Sequence, residues 1–193
     1  MNHLNPDTPH AQVDAIVTGV LNGELPAFDP NLAPEQFVER ARQHGVTALL
    51  HRALNTYPDS AELWPEALRE AVAADTLANA ASDLLIEQEL RRVLDALQTA
   101  RIDSVLLKGA ALAYSLYLDP YLRPRGDTDL YIAEKDKTAI ENTLYSLGYR
   151  PVVAHGGGLI SQQTTFTFKI APNIEHNLDV HWHLFNLHVL ADI

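Results

Sequence analysis

Apolar residues Val13, Ile16, Val17, Val20 and Leu21 recur at helical spacing and predict a helix over 9–21. Asn22 to Pro34, punctuated by Gly23, Pro26 and Pro30, reads as a loop. Pro34 and Glu35 suit a first helical turn; Phe37, Val38 and Ala41 give that helix its apolar stripe until it stops near Gly45, and Val46–Leu54 resumes the pattern. Pro58 and Pro65 mark the next linker. From Glu66 to Ala100 runs a long helix in which Leu77, Leu84, Leu85, Leu90, Val93, Leu94 and Leu97 share a broad apolar face. At Asp103 the period changes. Ser104–Leu107 is a short apolar run that predicts a central strand, and Lys108-Gly109 opens a helix over 110–117. A strand over 128–132, a helix over 135–147 stopped by Gly148, and an edge strand over 151–154 follow. His155-Gly156-Gly157-Gly158 reads as a flexible turn before two alternating strands, 164–170 and 177–184. The fold class is α+β: a helical region over 1–100, then a small mixed sheet with flanking helices over 101–193.

The chain of 193 residues is long enough for a real core and is expected to fold unaided. It has no cysteine, so thiolate metal sites and disulfides are excluded and the default expectation is the cytoplasm. No apolar run approaches the ~20 residues of a membrane span, which gives the expectation of a soluble protein. The formal net charge of −11 sits mostly in the first hundred residues, where 6 Arg face 15 Asp and Glu. An acidic surface without a basic stripe repels a phosphate backbone, so an extended nucleic acid is excluded as first partner while a single nucleotide arriving with its metal is not.

Alternation in Gly126–Ile132 puts Asp127, Asp129 and Tyr131 on one strand face; in Leu178–Leu184 it puts Asp179, His181 and His183 on one face and apolar residues on the other. If the two strands are neighbours, three carboxylates converge and require cations between them. Clustered oxygen ligands suit Mg2+ or Mn2+. A solitary Asp-x-Asp is usually solvated surface, but Asp179 amid Leu178, Val180 and Trp182 needs a compensating charge. The strand leading into Lys108 and Gly109 presents a helix start suited to phosphate; the bland alternative is a plain turn with a surface lysine. Arg123 and Arg125 precede the carboxylates, and either suits phosphate or a structural aspartate; Arg123 is the favoured phosphate ligand. A different chemistry, zinc held by Asp179, His181 and His183 in a hydrolase, leaves Asp127 and Asp129 without a role.

Taken together, Leu106-Leu107-Lys108-Gly109-Ala110-Ala111, Arg123, Asp127-Thr128-Asp129-Leu130, Gly148-Tyr149 and Asp179-Val180-His181-Trp182 resemble the bacterial uncharacterised nucleotidyltransferase family, a branch of the polymerase-beta-like nucleotidyltransferases. The resemblance covers roughly residues 37–184. It implies a nucleotidyltransferase core in which Asp127, Asp129 and Asp179 are catalytic and hold the metal, while Lys108, Gly109, Ala110 and Arg123 bind an NTP, with ATP the expected one. The acceptor is a hydroxyl of a protein, small molecule or RNA end. Gly109-Ala110 stands where the wider superfamily has Gly-Ser, so a hydroxyl contact to phosphate is replaced by backbone or Lys108. Similar proteins continue beyond the third aspartate, which brings two further expectations: a core without its carboxy-terminal lobe, and an inactive nucleotide-binding or regulatory remnant.

Overall fold

The computed structural model describes residues 9–152 and 163–183, with side chains from Val13 onward. The expected His155–Gly158 turn, the end of the 151–154 strand and Leu184 lie outside the described residues. The chain divides into two compact units, one of residues 1–81 with 121–124, the other of residues 82–120 with 125–193.

The first unit contains α1 (Pro9–Leu21), α2 (Pro34–Gln43), α3 (Thr47–Thr56), the single turn α4 (Pro58–Ala61) and the start of α5 (Glu66–Thr99). Its core joins Val13, Ile16 and Val17 to Phe37, Leu50, Trp64, Leu68 and Val72. Phe28, Phe37 and Trp64 meet with ring centroids 5.2–5.8 Å apart, and the Trp64 indole donates to the Pro26 carbonyl at 3.1 Å. Pro58, read as linker punctuation, instead begins a helical turn, where a fixed φ and a missing N–H cost nothing.

The apolar face expected of α5 is not continuous: Leu77 and Leu84 are 73% and 55% exposed, whereas Leu90, Val93 and Leu97 are buried. A helix of 34 residues supplies Leu68 and Val72 to one core and Val93 and Leu97 to another, so no single stripe is buried along its whole length. It ends at Arg101, whose left-handed backbone (φ 60°) lets the Ile102 N–H reach the Leu97 carbonyl at 2.9 Å.

The second unit is built on a five-stranded sheet, β1 (Ser104–Leu107), β2 (Thr128–Ile132), β3 (Arg150–Pro151), β4 (Gln163–Ala171) and β5 (Ile174–His181), in the spatial order β1-β2-β5-β4-β3. β2 and β5 run parallel; every other pairing is antiparallel. Helices α6 (Lys108–Leu116) and α7 (Lys137–Ser146) connect the strands, α7 being preceded by a 3-10 turn at Glu134–Asp136. The helices with the small mixed sheet make the α+β class expected of the sequence. β1 lies at the sheet edge, not its centre: the apolar run satisfies two faces unequally, and Val105 is 58% exposed. The core gathers Leu130, Ile132, Leu178 and Val180 from the central strands with Ile140, Leu144, Tyr149 and Phe166.

Candidate active site

The face of the sheet opposite that core carries the polar residues. In register across the strands, Leu107 of β1 stands beside Asp129 of β2, which stands beside Asp179 of β5, which stands beside Thr165 of β4. One step along, Val105, Tyr131, His181 and Gln163 form a second row. The intervening row, Leu106, Leu130 and Val180, turns toward the core, which is what a two-residue period dictates. Parallel pairing of β2 with β5 therefore sets Asp129 and Asp179 side by side.

Asp129 is 2% exposed and accepts two hydrogen bonds on one oxygen, from Lys108 Nζ at 2.5 Å and from His181 Nε2 at 2.8 Å. A buried carboxylate needs such partners. Thr165 Oγ1 donates to Asp179 Oδ1 at 2.7 Å. Asp127 lies at the exposed rim just before β2. Partial burial of its carboxyl, then repulsion by Asp129 and Asp179, holds its pKa above the ordinary aspartate value, with Lys108 opposing. The three carboxylates thus share one electrostatic neighbourhood. The hydrogen bond to Asp129, followed by the charges of Asp129, Asp179 and Asp127, holds the Lys108 ammonium pKa above its ordinary value.

Lys108 begins α6 with a left-handed backbone, φ 44°, at the β1–α6 junction. Such a conformation costs a residue other than glycine roughly 1 kcal/mol, and strain of this kind concentrates at functional sites. Ala110 is fully buried, so its methyl packs inward and its expected phosphate role reduces to a backbone N–H in the first helical turn.

Among the described residues, one group of three has the spacing of a metal site: Asp129, Asp179 and His181, with ligand atoms all within 4.8 Å of one another. The zinc set Asp179, His181 and His183 is not brought together. β5 ends at His181, and His183 Nε2 lies 3.6 Å from a Glu134 oxygen; Asp129 completes the cluster instead.

The two arginines part company. Arg125 has only 4% of its side chain exposed; it pairs with Asp83 at 2.7 Å, donates to the Tyr114 hydroxyl at 3.0 Å and stacks 5.0 Å from that ring. It is a structural partner for an aspartate, the second of the two roles open to it. Arg123 is half-buried in the segment 121–124 of the first unit.

Sequence reasoning left Thr165 and Asp83 without roles and gave His181 only that of a zinc ligand in the rival reading. Thr165 and Asp83 become visible only once strand register and helix placement are known. His181 was on the right face by alternation, but its contact with Asp129 depends on β2 and β5 being parallel neighbours.

The family described as uncharacterised nucleotidyltransferase matches residues 30–192, most of the chain. The chain belongs to that family. No curated protein and no solved structure matches it. Membership of the nucleotidyltransferases carries the general activity, transfer of a nucleoside monophosphate with an NTP as donor. The matched span contains every residue of the acidic face. Among the described residues, no helix is long and apolar enough to cross a membrane.

Proposed function

We propose that the sheet unit transfers a nucleoside monophosphate from an NTP, expected to be ATP, to a hydroxyl acceptor, with Mg2+ or Mn2+ as cofactor. The observation that carries this reading is the register of Asp129 with Asp179 across parallel strands, with Asp127 coupled to both and Lys108 on Asp129. The donor set fits a hard divalent ion: clustered carboxylates on one sheet face repel one another unless cations lie among them.

Asp127, Asp129 and Asp179 hold the metal. When bound, divalent ions supply charge neutralisation on the triphosphate and lower the pKa of the acceptor hydroxyl. The acceptor oxygen bonds to the α-phosphorus, the bond from that phosphorus to the bridging oxygen breaks, and pyrophosphate leaves. Asp179 takes the hydroxyl proton; the Thr165 hydroxyl fixes one of its oxygens and so orients the carboxylate. Lys108 and the backbone N–H groups at Gly109 and Ala110 meet phosphate oxygens, where positioning and electrostatics do most of the work of phosphoryl transfer.

The test is incubation with each labelled NTP and Mg2+, following pyrophosphate release and labelling of the protein itself or of acceptors in lysate. Asp179→Ala is expected to abolish release and to retain most nucleotide affinity. Turnover at the unaltered rate in Asp179→Ala removes Asp179 from the chemistry.

A further inference from the structure

We infer that His181 is a metal ligand, and that with Asp129 and Asp179 it forms a mixed nitrogen and oxygen set selecting a transition-metal divalent ion of the Mn2+ class over Mg2+. This rests on the divalent-ion reading of the site and specifies it further, adding a nitrogen ligand to the carboxylates of that reading.

The spacing suits direct ligation. Two ligands about 2.1 Å from one ion and at right angles to each other lie about 3 Å apart. His181 Nε2 and Asp129 Oδ1 are 2.8 Å apart, and the Asp179 carboxylate completes a group within 4.8 Å. The backbone already holds them: Asp129 and Asp179 are register partners, Tyr131 and His181 the next pair, and Asp129 and His181 are 2% and 6% exposed. Side chains on paired strands keep their positions better than side chains on a loop. Imidazole is a borderline ligand that suits Fe2+ and Zn2+ best; Mn2+, which prefers carboxylates, accepts it more readily than Mg2+, which takes oxygen donors almost exclusively. Asp127, at the rim and outside that closest group, offers oxygen alone, which suits an ion that enters on a triphosphate.

Neither neighbouring histidine is equivalent. His176 lies on the opposite face, with Nδ1 2.6 Å from the Tyr149 hydroxyl and Nε2 3.0 Å from Thr128 Oγ1, so both nitrogens are engaged. His183 lies beyond the end of β5 beside Glu134. If His181 served only to donate a hydrogen bond to Asp129, its replacement would leave the choice of ion unchanged.

The experiment is Mn2+ bound to the full chain, with and without a non-hydrolysable NTP analogue, measured by calorimetry and by electron spin-echo modulation. Expected is a modulation from one directly bound imidazole 14N. It should switch to the 15N pattern on labelling with 15N-histidine and vanish in His181→Ala, the assignment needing a variant because the chain has nine histidines. His181→Ala should weaken Mn2+ about tenfold or more and leave Mg2+ within about threefold. Bound Mn2+ without nitrogen modulation in the wild-type chain, or modulation that persists in His181→Ala, overturns the inference alone. Should His181→Ala not fold, His181→Gln serves the assignment in its place, with persistence of the modulation there overturning the inference as well. No Mn2+ binding under either condition overturns the inference together with the divalent-ion reading beneath it.

Discussion

A single oxygen, Asp129 Oδ1, receives both the Lys108 ammonium and His181 Nε2. An ammonium and a divalent ion on the same oxygen compete, so Lys108→Met is expected to tighten Mn2+ binding several-fold in nucleotide-free protein and to weaken NTP binding; paired calorimetric titrations check both signs. A lysine that merely fills space would give neither change. Arg125 and Asp83 make a second residue-scale prediction, since their side chains are only 4% and 15% exposed. Arg125→Met strands the Asp83 charge and is expected to cost roughly 3 kcal/mol in urea unfolding, much of it recovered when Asp83→Leu is added. At this scale the face shared by Asp129 and Asp179 was legible, because alternation alone assigns it. Thr165, Asp83 and the role of His181 were not, because each is defined by a partner on another element.

Among elements, two endings share one device with different residues. After α7, Gly148 takes φ 94° and Tyr149 N–H reaches the Leu144 carbonyl at 3.0 Å; after α5, Arg101 does the same work at φ 60°. Only glycine enters that region without steric cost. Arg101→Gly is therefore expected to stabilise the protein by about 0.5–1 kcal/mol. Gly148→Ala should destabilise it by about 1 kcal/mol or more, because a Cβ there would stand 3.2 Å from the Phe168 ring as well as strain the backbone. Urea midpoints compare the two directly. Helix positions were legible from the 3.6-residue period, and Gly148 from its residue type. The edge position of β1 was not: four apolar residues in a row look the same in a central strand and in one that turns Val105 outward. The break in the apolar face of α5 was equally hidden, since a period does not record that two cores share a helix.

For the molecule as a whole, acidity and acid sensitivity set the conditions of function. A net charge of −11 makes binding to long DNA or RNA unfavourable, and no retardation of a long duplex is expected at physiological salt in an electrophoretic assay. Stability should fall on acidification through His176. Its pKa is lowered from 6.5 to about 4, chiefly by burial, with the Glu89 charge opposing and the Arg125 charge adding to the effect. Between those values the unfolded chain binds the proton and the folded chain does not, so stability is retained near neutrality and declines as pH falls from about 6.5 toward 4. The full loss from this residue is about 3 kcal/mol. Unfolding midpoints at pH 7 and pH 4.5 should differ less in His176→Gln than in the wild-type chain.

The strands bearing the paired aspartates are not successive: α7, β3 and β4 all intervene, and the His181 contact with Asp129 spans 52 positions. Closing so long a loop is slow, and it precedes any reward from the contacts it permits. Repulsion between the carboxylates accordingly first appears late in folding, when β5 docks against β2. Divalent ions should accordingly slow unfolding more than they speed folding. Their release reports the departure of an entire strand from the sheet.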